Sequence, residues 1–321
     1  MMANKFRFSI LAAILVLGGL GIQPGFAGEQ KAVLITGAST GIGRNMAERL
    51  AKEGHFVYAG ARKDKDLAEL DAIENIKAVR LDVTKQADVD AAVALIREDG
   101  RGLWGLVNNA GVGTRAPVAD VTDEEVDFVF EVNVDGVVRV TRAFIPLIVE
   151  SKGRIVTTGS IAGIRSGPGG SVYSMTKHAV EAFTDSLAAE MADKGVQVSV
   201  IEPGAYKSRI RRNVIGRFMN DVAASGEEVP DEMREQAKQL AEREIAMDEP
   251  DDVSAALVHA LSADVALRRY LVTPNAEQAE STVRALVREL VELNEWKQNG
   301  FSRDELVQML DEALNPQPAS D

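Results

Sequence analysis

A tyrosine and a lysine one helical turn apart are the residues whose types and spacing point most directly to chemistry. Tyr173 and Lys177 lie in the stretch SVYSMTKHAV, residues 171–180, and positions i and i+4 share one face of a helix. A free phenol has a pKa of about 10 and is a poor base at neutral pH, but a fixed ammonium nearby favours the phenolate. The pair therefore predicts a phenol whose acidity is set by the neighbouring ammonium; an ordinary pair on a surface helix is the alternative.

The segment TGASTGIG, residues 36–43, places three glycines where a short apolar run gives way to a helical pattern. Glycine permits a tight turn and lets the backbone approach a pyrophosphate closely. The start of the following helix adds free N–H groups and the positive end of the helix dipole. The segment therefore predicts a dinucleotide-binding loop with the spacing Gly-x-x-x-Gly-x-Gly, the alternative being a glycine-rich loop without chemical use.

Apolar, β-branched runs alternate with helical patterns from residue 31 to about residue 272. The runs predict strands at 31–38, 55–62, 76–84, 103–111, 153–160 and 196–204, and a seventh within 250–272. The helical patterns lie at 43–54, 65–74, 89–99, 123–151 and 172–195, and at the start of 250–272. Because strands that are apolar almost throughout imply a parallel sheet covered on both faces, we predict an α/β fold with a doubly wound, parallel seven-stranded sheet of the Rossmann type. It forms a single domain, with extra C-terminal helices.

These segments resemble the short-chain dehydrogenase/reductase family in its single-domain form, from Lys31 to about Ser208 and more weakly to about Val272. The family's landmarks occur in order: TGASTGIG at 36–43, LDVT at 81–84, NNAG at 108–111, a serine at 160, SVYSMTK at 171–177 and Pro-Gly at 203–204. The resemblance implies an NAD(P)-dependent oxidoreductase that moves a hydride between the nicotinamide and a small-molecule secondary alcohol or ketone.

The resemblance also implies roles for individual residues. Tyr173 would be the acid/base, Ser160 would hydrogen-bond the substrate oxygen, and Asn133 would hold a water that links Lys177 to solvent. Asp82 would contact the adenine, and Lys177 would also reach the nicotinamide ribose. The implied cofactor site comprises Gly37, Ser39, Gly41, Ile42, Gly43, Arg62, Asp82, Val83, Asn109, Ala110, Gly111, Tyr173, Lys177, Pro203, Gly204 and Ser208.

The end of the second predicted strand bears on the choice of cofactor. Enzymes that prefer NAD usually carry an acidic residue there, which bonds the ribose 2′-OH. Here the position is Gly60, and Arg62 follows. A guanidinium can pair with a 2′-phosphate through two hydrogen bonds. The sequence therefore favours NADP, with NAD as the alternative. Arg62 could instead be an ordinary solvated charge in a loop without a role in binding.

Composition excludes several other classes of function. The 321 residues carry a net charge of −13, which argues against nucleic acid or an anionic membrane surface as a partner. There is no cysteine, and the three histidines are far apart in the sequence, at 55, 178 and 259. We therefore predict no disulfide and no metal site.

The first 27 residues have the order of a signal peptide. Lys5 and Arg7 precede an apolar run at 8–22, and a small-x-small triplet follows at 25–27. The run is shorter than a membrane span, so we predict cleavage after Ala27 and an exported, periplasmic or secreted domain without a stable span. The alternative is an anchor through residues 8–27. An exported enzyme meets little NADP(H). Three explanations are therefore open: the N-terminus is not cleaved, the cofactor binds before export, or the signal interpretation is wrong.

The remaining chain divides into a core at 28–275, with a variable substrate lid at 205–249, and a helical extension at 276–321. The lid mixes apolar residues with arginines, which suits closure over an apolar substrate. Its basic cluster, at 209, 211, 212 and 217, faces either water, which we favour, or an anionic substrate. Within 250–272 the sequence resembles the branch of the family that acts on steroids and retinoids.

Ser302 and Glu305 predict a capping box in the C-terminal extension. Its apolar stripes pack on the chain itself or on a second subunit, since the family usually forms dimers or tetramers; we expect a homo-oligomer.

Two other functions compete with this interpretation. A 3-oxoacyl thioester reductase shares the fold, but export argues against it because its carrier protein is cytoplasmic. A catalytically silent dinucleotide-binding sensor is the second. Degenerate members of the family usually lose the tyrosine or the lysine, and both are present here.

Overall fold

The apolar runs form one parallel sheet whose strand order reverses beside β1. A computed structural model describes residues 30–296, 298 and 300–315. The strands are β1 (Ala32–Ile35), β2 (Phe56–Ala61), β3 (Ile76–Arg80), β4 (Gly105–Asn108), β5 (Arg154–Thr158), β6 (Gln197–Pro203) and β7 (Arg269–Val272). Their order is β3-β2-β1-β4-β5-β6-β7, and every pairing is parallel. The predicted doubly wound, seven-stranded sheet is confirmed.

Helices cover both faces of this sheet. They are α1 (Gly41–Lys52), α2 (Asp64–Asp71), α3 (Gln86–Asp99), α4 (Asp123–Phe130), α5 (Gly136–Ser151), α6 (Ser171–Met191), α7 (Ile210–Ala224), α8 (Asp231–Ile245), α9 (Asp251–Ser262), α10 (Ala276–Asn294) and α11 (Arg303–Leu314). One apolar core packs α3, α5 and α6 against the sheet, around Ile96, Phe144 and Leu187. A second core packs α1 and α9 on the opposite face, around Leu50 and Leu257. Because both faces are buried, each strand is apolar almost throughout.

The long helix expected over 123–151 is interrupted. Thr122 caps α4 by accepting a hydrogen bond from the N–H of Glu125. A π-helical turn at Glu131–Asp135 then joins α4 to α5. Turns of this kind accommodate one extra residue in a helix and occur often at functional sites. This one contains Asn133.

The lid and the C-terminal extension are both helical. Helices α7 and α8 occupy most of the predicted lid, and α10 begins directly after the predicted end of the core. Gln278, in the first turn of α10, accepts a hydrogen bond from the N–H of Ala205 at 2.9 Å. The capping box of α11 is formed as expected, between Ser302 and Glu305. Apolar side chains of α10 and α11 are exposed, among them Leu290 at 49% and Leu310 at 58%.

The predicted signal peptide lies outside the residues that the structure describes. Within the described ranges, no helix combines the length and the apolar content that crossing a bilayer requires.

Candidate active site

The carboxyl ends of β1, β4, β5 and β6 meet at the edge of the sheet where the strand order reverses. In open parallel sheets this edge is where ligands bind. The loops that follow these strands carry most of the residues singled out from the sequence. Arg62, Asp82 and Val83 follow β2 and β3 further along the same edge.

The loop between β1 and α1 requires glycines and leaves the start of α1 uncapped. Gly37 has a φ of +66°, and a Cβ there would lie 2.8 Å from the Cα of Ala110. A Cβ at Gly43 would lie 2.3 Å from the amide nitrogen of Asn109. The Thr40 side chain does not cap α1, and the first turn of α1 carries no acidic residue. Its N-terminus therefore suits a bound anion. Gly41, Ser39 and Ile42 belong to this loop and first turn, as expected.

Thr36 fastens this loop to the one after β4. Its hydroxyl accepts hydrogen bonds from the N–H groups of Asn109 at 2.9 Å and Ala110 at 3.0 Å. The Asn109 amide in turn donates to the carbonyl of Thr36 at 3.0 Å. The structure thus brings Asn109 and Ala110 against the glycine loop. Thr36 was missed as a site residue, although a buried threonine at a strand end, directly before the glycines, was a usable signal.

Asn133 braces the segment after β4. Its Oδ1 accepts from the N–H of Val112 at 2.8 Å, and its amide donates to the Val112 carbonyl at 2.9 Å and to the Thr176 hydroxyl at 3.1 Å. A Cβ at Gly111 would lie 3.4 Å from this Oδ1 and 4.0 Å from the Nζ of Lys177. Asn133 therefore lies between the β4 loop and α6, beside Lys177. Its water-holding role stays a prediction.

Lys177 projects from α6 into a buried environment. Its Nζ donates to the backbone carbonyl of Thr158, the last residue of β5, at 2.8 Å, and lies 5.8 Å from the ring centroid of Tyr173. Burial lowers the pKa of Lys177 to about 8, against the opposing effects of Glu202 and Glu181. An ammonium in this position is weakly solvated, so it acts strongly on nearby charges.

The phenol of Tyr173 is held in its protonated form. Burial raises the pKa of Tyr173 to about 12, and the charge of Glu202 adds to the rise. A hydrogen bond with Ser160 and the charge of Arg211 act in the opposite direction. The sequence predicted a lowered pKa on the combined charge of Lys177 and a bound cofactor. In the chain by itself burial dominates, so the expected direction does not hold for the protein alone.

Arg62 and Asp82 come together, at the ends of β2 and β3. The Arg62 guanidinium lies 3.8 Å from the Asp82 carboxylate and is 60% exposed. Asp82 also accepts from the N–H and the hydroxyl of Thr84. Val83 has a structural place, because its side chain packs on Gly136 of α5 and its carbonyl accepts from Arg139 at 2.6 Å.

The loop after β6 closes the other side of the cleft. Pro203 ends β6, and the N–H of Gly204 bonds to the carbonyl of Val272 at 2.7 Å. Ser208 lies against the glycine loop, 3.5 Å from where a Cβ of Gly41 would be. Its hydroxyl accepts from the N–H of Ile210 at 3.3 Å. These three residues thus border the predicted cofactor site.

Arg217 anchors the lid over this cleft. Its guanidinium donates to the Gly113 carbonyl at 2.6 Å and to the Glu125 carboxylate at 2.7 Å, and it lies 4.7 Å from the ring centroid of Phe128. Arg212 pairs with Glu244 of α8 at 3.4 Å. Two of the four lid arginines therefore form ion pairs inside the protein. This differs from the expectation that the basic cluster faces water.

Two glutamates, one fully buried and one partly buried, were missed from the sequence. Glu202 of β6 is fully buried, and its carboxylate accepts from the N–H of Ser160 at 2.8 Å. Glu181 lies one turn after Lys177 on the same helix face. The repeated spacing of four from Tyr173 to Lys177 to Glu181 was a signal that could have found it. Among the described residues no group of three or more potential ligands could hold a metal ion.

A family model described as short chain dehydrogenase matches residues 31–216. A curated relative, D-beta-hydroxybutyrate dehydrogenase, mitochondrial, of Bos taurus, is 45% identical over 186 residues, which are 55% of this chain and 54% of that protein. The protein of the same name from Rattus norvegicus is 34% identical over 264 residues, 76% of this chain and 77% of that protein. Retinol dehydrogenase 16 of Homo sapiens is 38% identical over 187 residues, 57% of this chain and 59% of that protein. The chain thus spans little more than half of the bovine and human relatives.

Solved structures of the same architecture contain nicotinamide dinucleotides. A short chain dehydrogenase/reductase from Burkholderia phymatum in complex with NAD has a TM-score of 0.68 at 26% identity, covering 85% of this chain and 98% of that chain. An actinorhodin polyketide ketoreductase with NADPH has a TM-score of 0.64 at 28% identity, covering 78% of this chain and 97% of that chain.

Proposed function

The chain belongs to the short-chain dehydrogenase family, and we propose that it is a nicotinamide-dependent oxidoreductase that interconverts a secondary alcohol and a ketone. One observation carries the proposal. Asn133, Ser160 and the pair formed by Tyr173 and Lys177 come from three separate segments of the chain and lie together at the ligand-binding edge of the sheet.

The residues fit a dinucleotide cofactor. The start of α1 and the glycines at 37, 41 and 43 would hold the pyrophosphate, and the segment at 109–111 would border the nicotinamide half. The bound nicotinamide supplies or accepts the hydride. Everything else in the reaction falls to the protein, which must orient the substrate oxygen and move one proton.

Tyr173 would move that proton, with its hydroxyl as the donor when a ketone is reduced and its phenolate as the acceptor when an alcohol is oxidised. The raised pKa of Tyr173 makes the phenol a poor base in the chain alone. The positive charge of an oxidised nicotinamide would favour the phenolate. Ser160, whose side chain acts to lower the pKa of the phenol, would hold the substrate oxygen beside it. Lys177 would hold the ribose and keep a positive charge near the phenolate.

For the cofactor we propose NADP over NAD. Gly60 leaves no carboxylate at the end of β2, while the exposed Arg62 is free to swing its guanidinium from Asp82 to a 2′-phosphate. Both cofactor types occur among the solved neighbours. A substrate with an apolar body suits the lid, since Ile210 and Val214 face the backbone at Gly113.

Two further features belong to the proposal. The order of residues 1–27 supports export with cleavage after Ala27. The exposed apolar faces of α10 and α11 support a homo-oligomer. N-terminal sequencing of protein from its native compartment tests the first, and light scattering of the purified chain tests the second.

One experiment tests the activity. The purified full chain is assayed with NADP⁺ and NAD⁺ against a panel of secondary alcohols, and with the reduced cofactors against the matching ketones. Native mass spectrometry of the same sample shows whether a dinucleotide accompanies the protein. Turnover with at least one substrate supports the proposal. Neither binding nor turnover with either cofactor would contradict it.

A further inference from the structure

A buried carboxyl group lies directly beneath the Ser160 loop. Glu202, at the end of β6, has no exposed surface, and its Oε2 accepts the Ser160 N–H at 2.8 Å. A Cβ at Gly159 would lie only 2.5 Å from its Oε1. That Oε1 is buried and has no hydrogen-bond donor among the described residues. Leaving such an atom without a partner costs free energy, so a partner is expected.

The second carboxyl group supplies this partner. A hydrogen bond with Glu181 of α6 acts to raise the pKa of Glu202, and the Oε1 of Glu181 is likewise buried without a donor in the described part of the chain. The other oxygen, Oε2, accepts from the guanidinium of Arg269 at 2.8 Å. Two ionised carboxylates are acceptors only, so they cannot bond to each other unless one of them carries a proton. Each glutamate has one buried oxygen that lacks a partner, which is the arrangement that a shared proton satisfies.

We propose that Glu181 and Glu202 share one proton, with Glu202 as the donor, and that this pair positions Ser160 and sets the electrostatic environment of Lys177. The inference about Ser160 and Lys177 rests on the proposed oxidoreductase activity. The inference about the proton does not, because it follows from the contacts of the two carboxyl groups alone.

Charges around the pair favour this distribution of the proton. Arg269 of β7 contacts the carboxylate of Glu181 at 2.8 Å, while Glu202 has no cation in direct contact among the described residues. Burial raises the pKa of Glu202, and its hydrogen bond with Glu181 and the charge of Glu181 raise it further. The Ser160 N–H and Lys177 oppose the rise.

Other charged groups face the pair from the elements packed around it. Asp185 of α6 bonds to Arg269 at 2.7 Å and also pairs with Arg268. An ionised Glu202 would raise the pKa of Tyr173 of α6, and Arg211 of α7 acts on the same phenol in the opposite direction. The pair thus carries one net negative charge that Lys177 feels from both glutamates. Losing that charge makes the ammonium of Lys177 harder to maintain.

The first test uses stability rather than activity. The free energy of unfolding is measured against pH for the parent and for Glu202→Gln, whose amide can accept from Ser160 and donate to Glu181. A carboxyl with a raised folded pKa is fully stabilising below its unfolded value of 4.5, and this contribution is lost as pH rises towards the folded value. We expect Glu202→Gln to gain stability relative to the parent between about pH 5 and pH 8. Parallel curves would overturn the shared proton.

Infrared difference spectroscopy gives a second, independent reading of the proton. The folded parent at neutral pH should show the carbonyl stretch of a protonated carboxyl group, and Glu202→Gln should lose that band. Asp185→Asn is the matched control, because it removes a carboxylate that contacts Arg269 but not the pair, and it should retain the band. A parent spectrum without the band would count against the proposal.

The third test addresses the active site. Glu202→Leu keeps the bulk but cannot accept from Ser160, so kcat should fall at least tenfold, and Glu202→Gln should recover most of the loss. The double variant Glu181→Gln/Glu202→Gln removes the charge, so the alkaline limb of the kcat profile should move about one pH unit lower. An unmoved limb, or no recovery with glutamine, would overturn the positioning role. A parent without any turnover would instead contradict the proposed function and leave the stability and infrared results to decide the shared proton.

Discussion

The ammonium of Lys177 is bonded to the main chain of Thr158, not to the phenol that it is expected to assist. The Nζ–O distance is 2.8 Å, whereas the ring centroid of Tyr173 lies 5.8 Å from Nζ. The last carbonyl of β5 therefore fixes the position of the positive charge, and the sheet sets the distance between lysine and tyrosine. Four predictions follow from this site and its surroundings.

Tyr173→Phe should lower kcat by about 10²–10⁴, because it removes the group that exchanges a proton with the substrate. Binding of the cofactor should be nearly unchanged, as measured by fluorescence titration. Tyr58→Phe is a matched control, because it likewise removes one buried phenol hydroxyl. The Tyr58 hydroxyl donates to the Asp99 carboxylate at 2.7 Å and lies far from the cleft. A Tyr173→Phe enzyme within about threefold of the parent kcat would refute the assignment.

Lys177→Met should inactivate the enzyme and yet stabilise the fold at pH 7. Burial lowers the pKa of Lys177 from 10.5 to about 8, so the cost of burying its charge is present below pH 8 and is relieved as pH rises to 10.5. This cost is about 3 kcal/mol, offset by about 1–2 kcal/mol for the lost bond to Thr158. Urea unfolding should therefore show a gain of about 1–2 kcal/mol at pH 7 that falls to zero at about pH 9, and the variant should be the less stable protein at pH 10.5. Lys194→Met, an exposed control, should show no such pH dependence, and a less stable Lys177→Met at pH 7 would contradict the argument.

Arg62→Ala should reduce the preference for NADP over NAD. The guanidinium offers charge-assisted hydrogen bonds to a 2′-phosphate but nothing comparable to a 2′-hydroxyl, so the ratio of kcat/KM values should fall about 10- to 100-fold. Lys65→Ala controls for the loss of one positive charge on the neighbouring helix, where Lys65 pairs with Glu69. An unchanged ratio would make Arg62 a bystander.

Arg217→Met should loosen the lid. It breaks the bonds of α7 to Gly113 and Glu125 and leaves a largely buried carboxylate without its cation. We expect KM for the substrate to rise about tenfold while the dissociation constant of the cofactor changes little. Arg234→Met, on the exposed face of α8, serves as the control. Equal effects of the two variants would show that the anchoring contacts are unimportant for closure.

Local patterns in the sequence were sufficient for much of the fold and for the core of the site. Tyr173 and Lys177 were predictable because their meeting depends only on helical spacing. The sheet was predictable because parallel strands buried on both faces are apolar almost throughout.

The features that the sequence did not predict depend on contacts between distant segments. The partner of Lys177 is a main-chain carbonyl, and a carbonyl has no sequence signature. Glu202 and Glu181 meet only after β6 and α6 pack together. The π turn at 131–135 lies inside a helical pattern that continues on both sides of it. The direction of the pKa shift of Tyr173 depends on burial, which spacing alone does not reveal.

The contact between Gln278 and Ala205 has a practical consequence for anyone who shortens the chain. Sequence patterns suggest a convenient cut at 275, but the side chain of Gln278 also fills the space beside Gly204, where an added Cβ would lie 2.7 Å from its Oε1. A truncated protein would lose the acceptor for the Ala205 N–H and the wall against which the β6 loop rests. The extension is therefore not a detachable tail: its first turn supports the loop after β6, and a shortened version of this chain has to keep α10.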